Sequence, residues 1–520
     1  MKRTIILITM IFMSFAFVSC DFFNTTAAQT TQTETTTISS TEVSTTIETT
    51  TVEATTLPET TTEVTITETT TTEVTTTETT TTETTTIELG TEPFYPSNYS
   101  LLQDELEYVG IPSIGSPKVL VFAVTFSDCT DCIVLDIEDI NKAFNAESDE
   151  IDYESLNSYY KKSSYGKLDL TADVFGYYTA SQPASFYENQ DEMYWTINPA
   201  TGDYMYTEEE VPHPDTALIN EVLAYYDDQI DYNDYDYNED GYIDGIYIVY
   251  TNPVSYDSGA DLWWAYQYNV NQTGATYDGM KPNYYTWSGT EFMIESDDDI
   301  DARTIIHESG HMMGLDDYYD YYPGDEYDNS GGLGQADMMD ATHGDHGPFS
   351  KILLGWVTPL VVTDTATIDI LEYATSGEVL LIIDEWNETI FDEYILVCMY
   401  TSEGLYEADS GWYFNIDGIM MYHVSAQIDD GYDPNSYYYS IFNYNNTDTE
   451  FKVVKYIEPD MDDSVENLGY VEYTDLFVEG DILGDNVYRN YSWYDGTRIY
   501  LDIEIIDVAE NGATIEITFD

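Results

Sequence analysis

His307-Glu308-Ser309-Gly310-His311-Met312-Met313-Gly314-Leu315-Asp316-Asp317 is the stretch on which the reading of this chain turns. Two histidines four residues apart share one face of a helix, one turn apart, so both imidazoles reach a single tetrahedral metal ion. Thr304-Ile305-Ile306 just before them supplies the apolar side of such a helix. Glu308 stands where a carboxylate takes a proton from a water activated at the metal and later passes it to a leaving amine. Gly314, three residues after His311, is placed to leave the helix in a left-handed conformation and turn the chain back. Asp317 then arrives as an oxygen ligand, with its neighbour Asp316 as the rival candidate. The pattern HExxHxxGxxD fits a catalytic zinc ion, which takes three protein ligands and keeps one position for water. His343 and His346 lie outside that set and read as structural.

Outward from this stretch, 520 residues exceed what one core usually fills, so two folded parts are expected. The chain opens with Met1-Lys2-Arg3 and an apolar run from Ile5 to Val18, too short to span a bilayer and suited to an export signal. Phe17-Val18-Ser19-Cys20 resembles a bacterial lipobox, which implies cleavage before Cys20 and its acylation; a plain signal peptide is the alternative. Residues 1–20 are therefore expected to be a lipoprotein signal. Residues 21–94 are almost all Thr and Glu, with little to bury and one sign of charge, and read as a disordered stalk. Together these place the protein on the extracellular face of a bacterial cell membrane, anchored or released.

The formal charge is -85, from 99 acidic against 14 basic residues. A phosphate backbone would be repelled, which excludes nucleic acid as a partner. Such acidity fits either a saline medium or bound calcium. Cys129-Thr-Asp-Cys132 lacks the second pair of a zinc ribbon and permits a local disulfide, while Cys398 reads as a buried apolar residue.

Order is expected to begin near Ser116. Lys118 to Phe126 and Ile246 to Tyr250 read as buried strands, and a further strand is expected from Gly166 through Leu170. Ile140–Phe144, Ser155–Tyr160 and Ala217–Tyr226 read as helical. This alternation predicts an α/β layered domain over 95–360. After Pro359 short alternating runs, among them Glu378–Ile383, Tyr394–Val397, Gly418–Val424, Phe451–Tyr456 and Ala513–Phe519, predict a mostly antiparallel β domain over 361–520, sandwich-like.

His307 to Asp317, then Gly334-Gln-Ala-Asp-Met-Met-Asp340, Gly344-Asp-His346 and Ser350-Lys-Ile-Leu-Leu-Gly-Trp356, resemble the M6 peptidases, the immune inhibitor A group. Val119–Asp128, Ser164–Leu168, Leu262-Trp-Trp-Ala265, Gly418–His423 and Thr474–Phe477 agree with the same family. The resemblance implies a metzincin-like zincin catalytic domain, zinc on His307, His311 and Asp317, and Glu308 as general base. It also implies a methionine turn beneath the metal, carried by Met339 with Met338 as the alternative. Tyr318, Tyr319, Tyr321 and Tyr322 are the candidates for stabilising an oxyanion.

Asp236-Tyr-Asn238-Glu-Asp240-Gly241-Tyr242-Ile-Asp244 places oxygen side chains at calcium-loop positions 1, 3, 5 and 9, with glycine at the sharp turn. Tyr247 stands where an EF-hand has its bidentate Glu, so the expectation is a calcium-binding turn, with the Tyr242 carbonyl contributing. The function expected of the whole is hydrolysis of extracellular proteins by a zinc endopeptidase. The alternative is a surface-displayed binding or adhesion protein carrying an inactive peptidase-like domain.

Overall fold

The computed structural model describes residues 91–519 apart from 149, 152, 198–203, 207–212, 255–261, 271–273, 295–298, 321–331, 408–413, 415, 433–440, 448–450, 461–464, 466–469, 473 and 485–491. The export signal, Cys20 and nearly all of the Thr/Glu segment lie outside the described residues. Ile87–Asp520 forms one compact unit.

Its first sheet is built from β1 (Lys118–Thr125), β2 (Thr171–Thr179), β5 (Ile246–Tyr250), β6 (Tyr266–Asn269) and β7 (Tyr284–Gly289); β3 (Trp195–Ile197) and β4 (Tyr204–Tyr206) form a separate hairpin. The order is β2-β1-β5-β7-β6. The first four strands run parallel, and β6 is an antiparallel edge strand. Period-two alternation decides which face each side chain serves. Val119, Val121 and Ala123 of β1, with Tyr247 and Val249 of β5, enter the core that holds Ile305, Ile306 and Met312. Leu120, Phe122, Val124, Ile246, Ile248 and Tyr250 enter the opposite core, against the helix Pro214–Tyr226. A strand buried on both faces is apolar throughout, which is why β1 and β5 were legible.

Helices fall at Ile137–Asn145 and Pro214–Tyr226, each enclosing the run expected from sequence, and at Leu156–Ser163, one residue later than the expected start at Ser155. Ser155 starts the last of these with a capping box to Ser158. The strand expected from Gly166 through Leu170 is a correction. Tyr165 and Gly166 both have positive φ, at 55° and 77°, and make a turn, so that β2 begins only at Thr171. Order also begins earlier than Ser116, with a short helix at Leu102–Leu106.

Among the described residues the second part forms two sheets. One holds β8 (Leu360–Val362), β10 (Leu380–Ile382), β11 (Glu393–Tyr400), β12 (Gly418–Ser425) and β13 (Val454–Tyr456), antiparallel except where β8 meets β10. The other is antiparallel and holds β9 (Ala366–Leu371), β14 (Ile482–Gly484), β15 (Leu501–Ala509) and β16 (Gly512–Phe519). Ile395, Val397 and Met399 of β11 face the second sheet. Tyr394, Leu396, Cys398 and Tyr400 face the core shared with the metal-site helix. The β11–β12 sheet is thus a middle layer. Burying each of its large apolar side chains contributes about 1.5–3 kcal/mol, so the layer ties together the two sides of the boundary read at residue 360.

Candidate metal centre

The helix Arg303–Met312 carries the two histidines, and its buried face includes Ile305, Ile306 and Met312. Buried hydroxyls hold it in place: Tyr160 of the helix Leu156–Ser163 donates to the Ile306 carbonyl at 2.6 Å, and Tyr247 of β5 shares a 2.6 Å hydrogen bond with Ser309 Oγ, which itself donates to the Ile305 carbonyl one turn back at 2.6 Å. At its end Gly314 adopts φ 101°, and the Leu315 amide returns to the Gly310 carbonyl at 3.1 Å. A Cβ at that φ is strained, so the turn requires glycine there.

This turn brings Asp317 back to the helix. Its Oδ1 lies 3.0 Å from His307 Nε2 and 3.2 Å from His311 Nε2. Among the described residues His307, His311 and Asp317 form the one group of three potential ligands whose atoms lie within 4.8 Å of one another. Of the two rival aspartates, the structure brings Asp317 to the histidines.

The other nitrogen of each ring shows what the group is built for. His307 Nδ1 is 2.9 Å from the Met338 carbonyl, and His311 Nδ1 is 2.8 Å from the Leu315 carbonyl. A carbonyl only accepts, so each Nδ1 carries the proton, and in the neutral ring each Nε2 is a lone pair. Two lone pairs and a carboxylate oxygen at 3.0 and 3.2 Å repel one another unless a cation lies among them. The donor set therefore fits a divalent ion with nitrogen and oxygen preference, as zinc has. Without an ion, protons must supply that charge. Burial would lower the His311 pKa, but the Asp317 and Glu308 carboxylates outweigh it and push the pKa up to about 10. Burial would raise the Asp317 pKa, yet the two imidazoles hold it far below the usual carboxylate range.

Glu308 is buried beside this set. Burial raises its pKa, opposed by His307 and His311 and, more weakly, by the nearby backbone of Gln267 on edge strand β6. The edge of the first sheet thus runs next to Glu308.

Beneath the helix lies the turn Asp337–Thr342. Asp337 caps it, accepting from the Met339 amide at 2.8 Å, the Gly347 amide at 2.7 Å and Ser350 Oγ at 3.0 Å. The two methionines divide the work. Met338 gives the carbonyl that orients His307, and Met339 packs its thioether against Gly310, leaving no space for a Cβ there. His346 is fully buried in a wall of Tyr159, Tyr160 and Trp356, and His343 also stays outside the set of three.

Of the tyrosines considered for an oxyanion, Tyr318 is fully buried with its hydroxyl against Ser350, whereas Tyr319 stacks on His307 with centroids 6.3 Å apart. Tyr321 and Tyr322 lie outside the described residues. Sequence reasoning missed Tyr247, Tyr160 and the supporting carbonyls. Nothing in a sequence marks which main-chain oxygen faces an imidazole.

In the acidic turn, Asp236 accepts from the Asp240 and Gly241 amides at 2.9 Å each, Asp240 from the Tyr242 amide at 2.8 Å, and Asn238 from the Asp240 amide at 3.3 Å. Asp244 is buried and accepts from the Tyr237 amide at 3.0 Å. Burial, with Asp240 and Asp236 nearby, pushes its pKa up to about 8. These carboxylates do not converge as His307, His311 and Asp317 do, and Lys281 Nζ lies 4.9 Å from the Tyr242 ring centre. Cys129 and Cys132 are joined as a disulfide, and Cys398 is buried.

No curated protein matches the chain. The family model of the immune inhibitor A peptidase M6 catalytic domain matches residues 116–332, a stretch that includes His307, Glu308, His311 and Asp317 and ends before the methionine turn. The family to which the sequence pointed is therefore the one matched over residues 116–332, the immune inhibitor A peptidases of family M6, which are metallopeptidases.

Proposed function

We propose that this chain is a zinc-dependent endopeptidase that hydrolyses extracellular proteins, with His307, His311 and Asp317 as zinc ligands and Glu308 as general base. The observation that carries this is the convergence of two Nε2 lone pairs on one Asp317 oxygen, with both Nδ1 protons committed to carbonyls. Bound zinc supplies a Lewis acid and lowers the pKa of a water to about 7. Glu308, next to His307 and close to the backbone of Gln267, accepts a proton from the attacking water and returns it to the leaving amine. Strand β6 pairs with β7 alone among the described strands, so its outer edge offers main-chain donors and acceptors to an extended peptide. Tyr319, stacked on His307, is the nearest of the described tyrosine candidates for the oxyanion.

Export, acylation at Cys20 and a Thr/Glu stalk over 21–94 complete the reading, which puts the enzyme on the outer face of a cell membrane. The layers on either side of residue 360 then act as a catalytic domain over 95–360 and a β-sandwich over 361–520. Calcium in the turn Asp236–Asp244, on Asp236, Asn238, Asp240, the Tyr242 carbonyl and Asp244, is supported by the buried Asp244 and by Gly241 at φ 88°. A calcium-independent thermal midpoint that is equal in the parent and Asp240→Ala would remove that site.

The deciding experiment measures zinc content and casein hydrolysis for Ile87–Asp520 beside its Glu308→Ala variant. One zinc per chain in both, with cleavage in the parent only, is the expected result. A parent that holds zinc and cleaves nothing refutes the peptidase and favours the surface-displayed binding protein. Equal cleavage by the variant refutes Glu308 as base.

A further inference from the structure

The last carbonyls of a helix have no partner within it, and something outside must supply donors. In the helix Arg303–Met312 the amides of Met313, Gly314 and Leu315 return to Ser309, Gly310 and His311. The remaining donors come from a segment about two hundred residues upstream, at separations of 203 and 210. Tyr108 donates its hydroxyl to the His311 carbonyl at 2.9 Å, the Ile111 amide reaches the Met312 carbonyl at 2.9 Å, and Gln103 Nε2 reaches the Met313 carbonyl at 3.0 Å. Three consecutive carbonyls, beginning at a histidine of the metal set, thus take a donor from one short stretch of chain, the His311 carbonyl accepting from Tyr108 and from the Gly314 amide together.

Packing follows the same path. The Tyr108 ring stacks on Tyr284 of β7, with centroids 5.1 Å apart, and lies against Gly314, where a Cβ would come within 3.5 Å of it. Gly110 lies so close to the Met312 carbonyl that a Cβ there has no space. Gln103 is itself fixed, donating to the Ile111 carbonyl at 2.9 Å and accepting from the Ser113 amide at 3.0 Å. The segment is anchored away from the helix as well. Tyr99 donates to the Val357 carbonyl at 3.0 Å, and Trp356 Nε1 donates to the Ser113 carbonyl at 2.7 Å.

We propose that Leu102–Ile111 is an integral part of the metal centre, a strap that fixes the turn from His311 to Asp317 through the helix's terminal carbonyls, with Tyr108 as its positioning residue. The proposal rests on the zinc reading above and goes beyond it, because the strap lies upstream of the family match, which begins at residue 116. Two of the three ligands depend on that turn. His311 has its ring oriented by the Leu315 carbonyl, and Asp317 arrives directly after it. Loosening the carbonyls that precede Leu315 therefore moves an imidazole and a carboxylate together. Removing partners that orient ligands typically costs about 10–100-fold in metal affinity.

The test uses the full chain and four proteins: the parent, Tyr108→Phe, Gln103→Glu, and Tyr99→Phe as a control that removes a hydroxyl from the same segment away from the helix. Zinc release to a chelator, the visible spectrum of the cobalt(II) form and the metal-free thermal midpoint are read for each. Tyr108→Phe and Gln103→Glu are expected to release zinc about tenfold faster or more and to shift the cobalt bands, whereas Tyr99→Phe changes neither. Parent-like release and spectra in both strap variants overturn the proposal and leave the zinc reading standing. If all three variants release zinc faster in proportion to a lowered metal-free midpoint, the segment acts through general stability and the proposal is also overturned. A parent that binds no zinc removes the zinc reading itself, and this inference with it.

Discussion

Gly310→Ala tests the packing beneath the metal helix with a single methyl group. On an exposed helix this exchange stabilises by about 1 kcal/mol, since glycine has the greater backbone freedom to lose. Here the added Cβ runs into Met339 Sδ, with Met339 Cε at 3.1 Å and His346 Cε1 at 3.6 Å. Carbon atoms rest at about 3.5–4.0 Å, so the thioether must move, and both Met339 and His346 are fully buried. Overpacking of this kind costs about 1–3 kcal/mol. Set against the helix gain, the net change is a loss of roughly 0–2 kcal/mol, a sign opposite to that at an exposed site or at best a cancellation.

The assay is urea unfolding of metal-free Ile87–Asp520 for Gly310→Ala, Met339→Ala and the double variant. Met339→Ala alone leaves a cavity and is expected to cost about 2–5 kcal/mol. In the double variant the new methyl group occupies part of that cavity, so the two costs combine to less than their sum, by about 1–3 kcal/mol. A Gly310→Ala protein stabilised by about 1 kcal/mol, or strict additivity in the pair, would refute Met339 as the residue under the helix.

Asp317→Ala is expected to abolish stoichiometric zinc binding by equilibrium dialysis while Asp316→Ala retains it; the reverse result would reassign the third ligand. Lys351 and Asp345 form a buried pair at 2.5 Å, with Tyr165 and Tyr373 rings on the ammonium. Lys351→Met leaves that carboxylate buried and unpaired, so denaturant unfolding should show a loss of about 3–5 kcal/mol, and a loss below 1 kcal/mol would contradict the geometry. Burial raises the Asp340 pKa from 3.8 to about 7, against the opposing Gln335 and Leu333 amides and Lys452. The folded state therefore holds a proton that the unfolded chain has already lost, and this contribution is full below pH 3.8 and lost as pH rises to about 7. Asp340→Asn should flatten that part of the stability profile, and an unchanged slope in urea titrations from pH 4 to 7 would refute it.

What the sequence determined by itself was local. The four-residue spacing of His307 and His311, the glycine three places on and the aspartate three places beyond set helix, exit and the aspartate proposed as third ligand, because helix periodicity and left-handed φ act within a few residues. β1 and β5 were legible because burial on both faces leaves only apolar residues. The strand misplaced at Gly166–Leu170 shows the limit of the same logic, since an apolar alternation also suits a turn pinned by Tyr165 and Gly166. Tertiary structure decided what depends on distant chain: Met339 under Gly310 and the Met338 carbonyl behind His307. It alone revealed that Tyr108 closes the end of the metal helix. Main-chain carbonyls look the same at every residue, so only the folded path of the chain shows which of them a ligand or a strap will meet.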